Sequence, residues 1–430
     1  MAEPRGPRER RPRLAIIGSG ISGLGAAHLL RDDCDVTVFE SSARAGGHIR
    51  PMPVDDGQGN VVHVDTGFTV FERRSYPQFG RLLEELHVES EAVSFDVALW
   101  DRVRGRHHRL RDFPSLCGST FAAEAGRDLR RFAAFILRLE RRPDLLDARA
   151  VSLGEFLAAQ DYHPDLVESL VLPSLAFEWG FQRDQILAMS VEAALAMLRR
   201  TLLAGPGSEL RRVTPSSKVY LDALLAHLRA RLRTSCAVHQ VEERAEGVAV
   251  TSAAGVELFD AALIATQADQ ALRLLARPTE AQRRLLGGLP YHQGIAVVHS
   301  DPELIPDEIA RSGTFVVMQL RAGDAPLWAT TWDMRRFQRI AATRPVLVTI
   351  GDARILAAGI IDPRQIHHVI RHTHVALSPD YRVACPDPEA FEGGGRTFFS
   401  GSYAGGGGSH EHALASALSA GARIRAALLR

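Results

Sequence analysis

Three glycines near the start of the chain have the spacing of a turn that holds a dinucleotide phosphate group. They lie within Gly18-Ser19-Gly20-Ile21-Ser22-Gly23. In such a turn Gly18 permits a sharp bend, Gly20 lets the backbone approach a pyrophosphate, and Gly23 lets the following helix pack closely. The helix that begins at Ile21 and Ser22 directs its free N–H groups at the phosphates. The spacing therefore predicts a dinucleotide site.

The segments on either side of the turn are those that such a site requires. Leu14-Ala15-Ile16-Ile17 is a short apolar run, typical of a strand buried on both faces. An apolar helix follows, and a second strand at residues 36–39 ends at Glu40. A carboxylate at this position binds a ribose hydroxyl and disfavours a 2′-phosphorylated ribose. These elements predict a Rossmann-type α/β fold.

The residues after the second strand resemble a flavoprotein motif. Glu40, Arg44, Gly46 and Gly47 match the pattern E-x-x-x-R-x-G-G of the amine oxidase and phytoene desaturase superfamily. The resemblance implies FAD as the cofactor, with Arg44 and both glycines closing over its pyrophosphate and ribityl chain. A guanidinium can bind two phosphate oxygens at once, and glycine allows close backbone approach.

A later segment resembles the one that passes beneath the flavin ring in that superfamily. It contains Asp65-Thr66-Gly67, in the pattern D-x-G. With I-G-S-G-I-S-G-L at residues 17–24 and G-G-H ending at His48, it is similar to a bacterial branch of predicted flavin-binding proteins. That branch is often considered alongside cyclopropane fatty acid synthases. The resemblance implies that His48, Asp65, Thr66 and Gly67 bind FAD.

Distant segments are expected to complete the FAD site. The resemblance implies that the backbone around Val238 brackets the adenine and that a strand returning to the Rossmann sheet brings Ala265 to the cofactor. Near the C-terminus, Gly401, His410 and Glu411 match F-x-G followed by G-x-H-E. The helix that begins there would face the flavin pyrimidine ring and stabilise the negative charge of reduced flavin. By composition alone, the glycines at 405–408 also resemble a flexible linker.

The expected fold class is α/β, with a glutathione-reductase-like Rossmann FAD-binding domain and an inserted α+β substrate domain. Apolar spacing predicts that the first insertion is mainly helical and that the second contains strands at 295–299, 314–319, 327–331 and 346–350. The helical spacing is clearest at Leu82, Leu83, Leu86, Phe132, Phe135, Ile136 and Leu139. The FAD domain would combine residues 14–75, 212–285 and 396–430, and the substrate domain residues 76–211 and 286–395.

Few residues offer acid–base chemistry beside the flavin. In flavin amine oxidases a lysine commonly follows an L-P turn, but this chain has Leu289-Pro290-Tyr291-His292-Gln293 there. His292 and Gln293 are candidate catalytic residues, with a structural role for His292 as the alternative. Lys218, the sole lysine, is a third candidate, with a surface cation at a helix start as the alternative.

Other chemistry-bearing residues permit more than one interpretation. Phe177, Trp179, Trp328 and Trp332 could line a substrate cavity or pack in the core. The histidines between 367 and 374 include a pair at 368 and 372 with helical spacing that could share a metal ion. No acidic or cysteine partner completes a ligand set nearby, so we predict no metal site.

The overall composition excludes several classes of protein. The chain has 430 residues and a formal net charge of +0, which makes nucleic acid an unsuitable partner. Four scattered cysteines form no C-x-x-C pair, which favours a reducing cytoplasm over a disulfide framework. Residues 1–13 form a basic arm expected to be disordered, without the apolar segment of a signal peptide. Composition leaves the oligomeric state open.

The leading hypothesis is an FAD-dependent dehydrogenase or desaturase that takes hydride from a hydrophobic small molecule, such as an acyl or lipid-like chain. The absence of a second G-x-G-x-x-G and of a dithiol pair disfavours NAD(P)H-driven and disulfide chemistry. A lipid-like substrate would allow peripheral contact with a membrane. The alternatives are a flavin amine oxidase that releases hydrogen peroxide, and a non-catalytic flavin-binding partner of a lipid-modifying enzyme.

Overall fold

The computed structural model describes residues 10–93, 96–109, 151–202, 209–323, 325–384, 392, 395–404 and 407–429. Most of the predicted basic arm lies outside these residues, and its last residue, Arg13, begins the first strand. The predicted helical segment at 132–139, two of the four cysteines and the glycines at 405 and 406 also lie outside them. The other two cysteines, Cys34 and Cys236, are buried free thiols.

A five-stranded parallel sheet carries the dinucleotide motif, as the sequence predicts. Residues Leu14, Ala15 and Ile16 are fully buried because the sheet is covered on both faces. The strand order is β10-β2-β1-β14-β20, and every neighbouring pair is parallel. These strands are β1 (Arg13–Ile17), β2 (Asp35–Phe39), β10 (Arg231–Arg233), β14 (Ala261–Ile264) and β20 (Thr397–Phe399).

Two helices pack against each other beside this sheet. They are Ile21–Leu30, which follows the glycine turn, and His410–Leu428 at the C-terminus. Glycines at the contact bring the helices close: a Cβ on Gly25 would lie 2.6 Å from a methyl carbon of Leu414. The first and last described helices of the chain therefore pack together on one face of the parallel sheet.

The sequence predicts a meander of strands at 237–241, 248–251 and 261–265, with turns at 246–247 and 254–255. The structure has both turns in an antiparallel meander of β11 (Val238–Arg244), β12 (Gly247–Ser252) and β13 (Gly255–Phe259), whereas the predicted third strand is β14 of the parallel sheet. Gly247 has φ +153° and Gly255 has φ +110°, backbone angles that favour glycine. The chain then enters the parallel sheet through β14, so the meander connects the two layers.

The second large sheet has seven strands in the order β19-β15-β18-β17-β16-β7-β8, antiparallel except for the parallel pair β16 and β7. It contains a strand at each of the four predicted positions and residues from both predicted insertions. Two of its strands lie at the start of the first insertion, whose described residues are otherwise mostly helical, as the sequence predicts. The strands are β7 (Val97–Asp101), β8 (Arg106–Arg109), β15 (Tyr291–His299), β16 (Phe315–Ala322), β17 (Ala325–Asp333), β18 (Leu347–Gly351) and β19 (Ile366–Val375).

Strand β19 overturns another expectation. The histidines at 368 and 372 have helical spacing, but they lie on an extended edge strand that pairs along its length with β15. Ile366, Ile370 and Val375 are among the apolar residues that this strand contributes, and β-branched residues favour a sheet. Side chains two residues apart on a strand lie on the same face of the sheet. His372 therefore shares its face with His374 as well as with His368.

Helices cover the seven-stranded sheet between residues 153 and 202. The first begins at a capping box, in which Ser152 and Glu155 exchange hydrogen bonds with each other's backbone N–H groups. These helices are Leu153–Gln160, Pro164–Leu166, Leu172–Trp179, Arg183–Leu187 and Val191–Leu202, with a π-helical turn at Val167–Val171. Their buried residues form one apolar cluster with the sheet.

The remaining elements are short. Small sheets pair β3 (Pro51–Asp55) with β4 (Val61–Asp65), and β9 (Leu210–Val213) with β5 (Phe71–Glu72) and β6 (Ser90–Ala92). No helix in the described part of the chain is long and apolar enough to cross a membrane. The other helices are Pro77–Glu85, Lys218–Ala226, Ala268–Leu274, Glu280–Gly287, Asp307–Ser312, Met334–Phe337, Arg354–Ala357 and Pro379–Ala384, with a 3-10 turn at Pro363–Gln365.

Candidate active site

A cavity of about 720 Å³ lies at the carboxyl edge of the parallel sheet and extends to the seven-stranded sheet. Ile17, Phe39 and Ala265, at the ends of three parallel strands, line one part of it. Ligands in open α/β sheets bind outside the carboxyl ends of the strands. The cavity volume falls within the range of roughly 300–1,000 Å³ that is usual for small-molecule and cofactor sites.

The glycine turn forms one wall of this cavity. Gly18 has φ +103°, and a Cβ there would lie 2.6 Å from the carbonyl oxygen of Ala265. A Cβ on Gly23 would lie 1.9 Å from the carbonyl oxygen of Gly18, so this residue lets the helix pack on the turn. A Cβ on Gly20 would meet no protein atom within 4 Å and would enter the cavity, where Ile21 and Ser22 are its neighbours. The turn therefore leaves room for a ligand at Gly20.

Two further glycine segments converge on the turn. A Cβ on Gly47 would lie 3.0 Å from the Cα of Gly20, and one on Gly67 would lie 2.1 Å from the carbonyl oxygen of His48. The N–H of Gly46 donates to the Ser19 carbonyl at 3.0 Å. Gly46, Gly47, His48, Thr66 and Gly67 all line the cavity, as does Val238. This bare backbone lining fits the pyrophosphate and ribityl chain of FAD, which need N–H donors and close approach.

Glu40 lies at the carboxyl end of β2 and lines the same cavity. Its carboxylate accepts the Ser19 N–H at 3.1 Å, the Ser19 hydroxyl at 2.5 Å and the Ser42 N–H at 2.8 Å. These bonds hold an acceptor beside the glycine turn, where a ribose hydroxyl can reach it. Arg44, by contrast, is exposed and does not line the cavity, so its contact with the pyrophosphate stays a prediction.

The N-terminus of the C-terminal helix forms another wall. The Ser409 side chain caps the helix by accepting the His412 N–H, and Ser409, His410 and His412 line the cavity. The His410 ring stacks on Phe68 with centroids 3.9 Å apart. Desolvation is the main cause that lowers the pKa of His410 to about 3. A neutral ring and a positive helix end therefore face the cavity.

Besides Gly23 and Arg44, three predicted cofactor residues do not line the cavity and support its walls instead. The carboxylate of Glu411 accepts the N–H groups of Gln78 and Phe79 at 2.8 Å and 3.0 Å, which satisfies the start of helix Pro77–Glu85. A Cβ on Gly401 would lie 2.6 Å from the Tyr403 ring, so Gly401 makes room for an aromatic wall residue. Direct FAD contact by either residue has no support in this geometry.

Asp65 is the third of these residues. It is buried, and its carboxylate accepts the Ser217 N–H at 3.0 Å and the Ser217 hydroxyl at 2.5 Å. Burial outweighs these hydrogen bonds and raises the pKa of Asp65 to about 7. Asp65 therefore joins the strand beneath the cavity to the start of helix Lys218–Ala226.

None of the three predicted catalytic residues lines the cavity. Tyr291 does, but its neighbour His292 does not: it lies opposite His374 on strand β19, and its ring is 5.6 Å from that of Phe181. Gln293 is exposed. Lys218 forms an ion pair with Asp222 one helical turn away, in agreement with the surface-cation alternative.

Aromatic side chains line another part of the cavity. They are Phe177, Trp179, Tyr291 and Trp332, with Ile350 beside them. Phe177 and Trp332 stack with ring centroids 6.1 Å apart. Both residues belong to the apolar core and also line the cavity, so both interpretations hold for them. Trp328 is only 2% exposed and does not line this cavity. This chamber is suited to a hydrophobic ligand.

Two histidines that the sequence did not associate with the flavin, His372 and His374, line the cavity beside His48. The His48 ring lies 5.6 Å from that of His372 and 5.3 Å from that of His374. His374 also stacks on Trp179 at 5.3 Å with nearly parallel rings. The missing signal was the alternation of His372 and His374, which on a strand gives both the same face.

Each of these rings is neutral at physiological pH. Desolvation, then the neighbouring His48 and Arg50, lower the pKa of His372 to about 3. Desolvation and the neighbouring histidines also lower the pKa of His374 well below its ordinary value. Among the described residues no group of three or more histidine, cysteine or acidic side chains is arranged to hold a metal ion.

The fold and the glycine-lined cavity define a flavoprotein of the FAD-dependent oxidoreductase class. Residues 21–425 match the family model described as flavin containing amine oxidoreductase, and the chain belongs to this family. FAD is its cofactor and oxidation–reduction its chemistry. This membership gives no support to the non-catalytic alternative.

Curated proteins are similar in sequence to part of this chain. It is 26% identical over 263 residues to the flavin-dependent L-tryptophan oxidase RebO of Lentzea aerocolonigenes, which covers 56% of this chain and 54% of that protein. It is 24% identical over 419 residues to the carotenoid phi-ring synthase of Streptomyces griseus, covering 87% of this chain and 78% of that one. The chain thus spans about half the length of the tryptophan oxidase.

A solved structure has the same fold. Cyclohexylamine oxidase from Brevibacterium oxydans IH-35A matches with a TM-score of 0.70 and 15% identity, covering 98% of this chain and 100% of that chain. At this level of identity the match establishes the architecture, and it leaves the substrate open.

Proposed function

We propose that this protein oxidises a hydrophobic organic molecule, of acyl or lipid-like character, as a dehydrogenase or desaturase. The observation that carries the proposal is the continuity of one cavity. It joins the glycine-lined cofactor wall at Gly20 and Gly47 to an aromatic chamber at Phe177, Trp179 and Trp332. A substrate in that chamber would lie against the flavin end of the cofactor.

The chain's own residues bind and orient both ligands in this proposal. The backbone of the glycine turn binds the pyrophosphate, and Glu40 accepts a ribose hydroxyl. The N-terminus of helix His410–Leu428 faces the flavin ring and favours its negative charge when reduced. When bound, FAD accepts hydride at its N5 atom. The aromatic chamber excludes water from the reacting atoms, which protects the transfer.

Proton loss from the substrate requires an acceptor, and no strong base faces the chamber among the described residues. His48, His372 and His374 are neutral and weakly basic because they are poorly solvated. We propose that a proton released in the reaction passes to solvent outside the aromatic chamber, with His374 and His48 orienting the substrate. The catalytic candidates predicted from the sequence, His292 and Lys218, do not line the cavity.

The domain division also belongs to this proposal. Residues 14–75, 212–285 and 396–430 would form the FAD-binding unit, and residues 76–211 and 286–395 the substrate unit. The two large sheets support the division, since each draws its strands from one of these sets. The motif G-S-G-I-S-G with V-D-T-G-F supports placement in the bacterial branch considered alongside cyclopropane fatty acid synthases.

Amine oxidation is the second candidate, and one observation favours it. Trp179 and His374 stack in the chamber and present flat, neutral surfaces of the kind that bind an amine substituent. The relatives include an L-tryptophan oxidase, and a matching structure is a cyclohexylamine oxidase. Against it, the sole lysine pairs with Asp222 and does not line the cavity.

An anaerobic bleaching screen tests the proposal. The purified protein, loaded with FAD, is mixed without oxygen with phospholipid acyl chains, free fatty acids and a panel of amines, and the flavin absorbance is followed. Bleaching by acyl compounds supports the proposal, and bleaching by amines with hydrogen peroxide release on re-aeration supports the second candidate. A protein that takes up no FAD contradicts both.

A further inference from the structure

Tyr220, on helix Lys218–Ala226, is completely buried, and its hydroxyl group pairs with Nε2 of His410 at 3.2 Å. Burial, and after it the Asp65 carboxylate, raise the pKa of Tyr220 well above its ordinary value, so the hydroxyl keeps its proton. No other hydrogen bond joins this hydroxyl to a described residue. A buried donor without an acceptor costs free energy. Tyr220 therefore donates to Nε2, because the reverse bond would leave the phenol proton unpaired.

This bond decides where His410 carries its own proton. The ring is neutral at physiological pH because desolvation lowers its pKa to about 3. A neutral imidazole has one N–H, and the nitrogen that accepts a hydrogen bond cannot be the one that bears it. With Nε2 accepting from Tyr220, the proton of His410 lies on Nδ1.

Aromatic neighbours hold the plane of the His410 ring. Phe68 stacks on one face with centroids 3.9 Å apart, and Phe79 packs at 5.1 Å with its ring nearly perpendicular. Neither phenylalanine can distinguish one ring nitrogen from the other, because neither offers a hydrogen bond. Tyr220 is therefore the residue that selects the orientation and the tautomer of the ring.

The Nδ1 atom of His410 is the one that is free to bind a ligand. It forms no hydrogen bond with a described residue, and it is not sealed from solvent as the unpartnered Nδ1 of His28 is. The residue is half-buried and lines the cavity at the N-terminus of helix His410–Leu428. An N–H donor thus lies at the wall where the proposed function places the flavin ring.

We propose that Nδ1–H of His410 donates a hydrogen bond to the flavin ring of bound FAD and that Tyr220 is the positioning residue that keeps this donor in place. The inference rests on the proposed function, which places the flavin at this helix. A hydrogen bond strengthens when its acceptor becomes negatively charged, so the donor binds reduced flavin more tightly than oxidised flavin. The Tyr220 hydroxyl therefore raises the reduction potential of the flavin without contacting it.

The tautomer of His410 is measured directly by nitrogen NMR. The FAD-loaded protein is labelled with 15N-histidine, and the His410 signals are identified as those missing from His410→Phe. We expect a protonated Nδ1 and an unprotonated Nε2. This measurement needs no Tyr220 variant, so it decides the matter even if Tyr220→Phe fails to fold.

The flavin midpoint potential tests the consequence. Tyr220→Phe keeps the buried ring and removes only the hydroxyl group, so His410 can carry its proton on either nitrogen. We expect the preference for reduced over oxidised flavin to fall about tenfold, as the loss of one charge-assisted hydrogen bond would give, which is about 30 mV for two electrons. Equilibration with a reference dye during anaerobic reduction measures it.

Further variants separate this role from a general effect on packing. His410→Phe should lower the potential, and adding Tyr220→Phe to it should cause no further fall, because both remove the same donor. His410→Asn places an amide N–H near the position of Nδ1 and should restore part of the potential without help from Tyr220. Tyr381→Phe is the matched control: Tyr381 is a buried tyrosine that donates to the Tyr403 carbonyl at 3.1 Å and does not line the cavity. Its potential should equal that of the wild type.

Three outcomes would overturn the proposal. They are a His410 proton on Nε2, an unchanged potential in FAD-loaded Tyr220→Phe, and a further fall of potential when Tyr220→Phe is added to His410→Phe. Failure of the proposed function is distinguishable, because neither the tautomer nor the potential requires a substrate. A flavin that no organic compound bleaches would contradict the proposed function and leave both of these measurements to decide the role of Tyr220.

Discussion

Gly47 approaches Gly20 so closely that a Cβ on Gly47 would lie 3.0 Å from the Cα of Gly20. The two residues belong to separate motifs of the sequence, and their contact makes one continuous strip of bare backbone along the cavity. Backbone approach of this kind is what a pyrophosphate requires. The contact joins the first strand–turn–helix unit to the loop after Glu40.

Gly20→Val is expected to abolish FAD retention. Gly20 has φ −67° and ψ −179°, which any residue can adopt, and the new side chain meets only the cavity. The protein should therefore fold but lose at least about tenfold in FAD affinity, because even one contact of about 1.4 kcal/mol is worth that factor. The ratio of flavin to protein absorbance after purification measures this.

Gly80→Val is the matched control for that variant. A Cβ at Gly80 also meets no atom within 4 Å, but this residue lies on helix Pro77–Glu85 and does not line the cavity. It should retain FAD. Stoichiometric FAD in purified Gly20→Val would show that the pyrophosphate lies elsewhere.

Glu411→Ala should destabilise the protein without removing a cofactor contact. The carboxylate accepts two N–H groups at the start of helix Pro77–Glu85, and their loss leaves buried donors unpaired. We expect a loss of about 1–3 kcal/mol in the free energy of unfolding. Denaturant unfolding of the FAD-free protein measures it.

Glu411→Gln distinguishes the two roles of this residue. Its amide oxygen can still accept one hydrogen bond, so it should recover part of the stability. If instead Glu411→Ala unfolds like the wild type and FAD affinity falls, then the carboxylate acts on the cofactor as the sequence predicted.

Asp65 should make stability fall as pH rises through the acidic range. Its pKa is about 7 in the folded protein and 3.8 ordinarily, so between these values the unfolded chain binds fewer protons. The contribution of protonated Asp65 to the free energy of unfolding is fully present below about pH 3.8 and is lost as pH approaches 7. For one proton, the free energy of unfolding falls by at most about 1.4 kcal/mol per pH unit.

Asp65→Asn tests this sign. The amide cannot ionise but keeps an acceptor for Ser217, so the free energy of unfolding should depend less on pH between 4 and 7. Asp32→Asn, an exposed carboxylate, is the control and should leave the slope unchanged. An identical slope in wild type and Asp65→Asn would show that Asp65 is ionised throughout.

Lys218→Met should leave oxidation nearly unchanged. The ammonium group pairs with Asp222 on a partly exposed helix face, and such pairs contribute about 0.3–0.5 kcal/mol. We expect kcat/KM within about twofold of the wild type, a change of less than about 0.5 kcal/mol, because the ammonium group does not line the cavity. Flavin bleaching with the compound found in the screen measures it. A large loss of kcat would return Lys218 to the catalytic site.

Local features were readable from the sequence because their causes are local. The apolar run at Leu14–Ile17 needs burial on both faces, and Gly18 and Gly23 need a bend and a close approach. The meander turns at Gly247 and Gly255 follow from their positive φ angles. These signals were sufficient to predict the parallel sheet and a cofactor site at its carboxyl edge.

Tertiary structure decided which side chains reach the cavity. Of two neighbours on strand β15, Tyr291 lines it and His292 does not, and pairing with β15 makes a strand of the histidines that have helical spacing. Asp65 meets Ser217 from 152 residues away, and Glu411 meets Phe79 from 332 residues away. Such partners depend on how distant segments pack, because a carboxylate is equally able to bind a ribose or cap a helix.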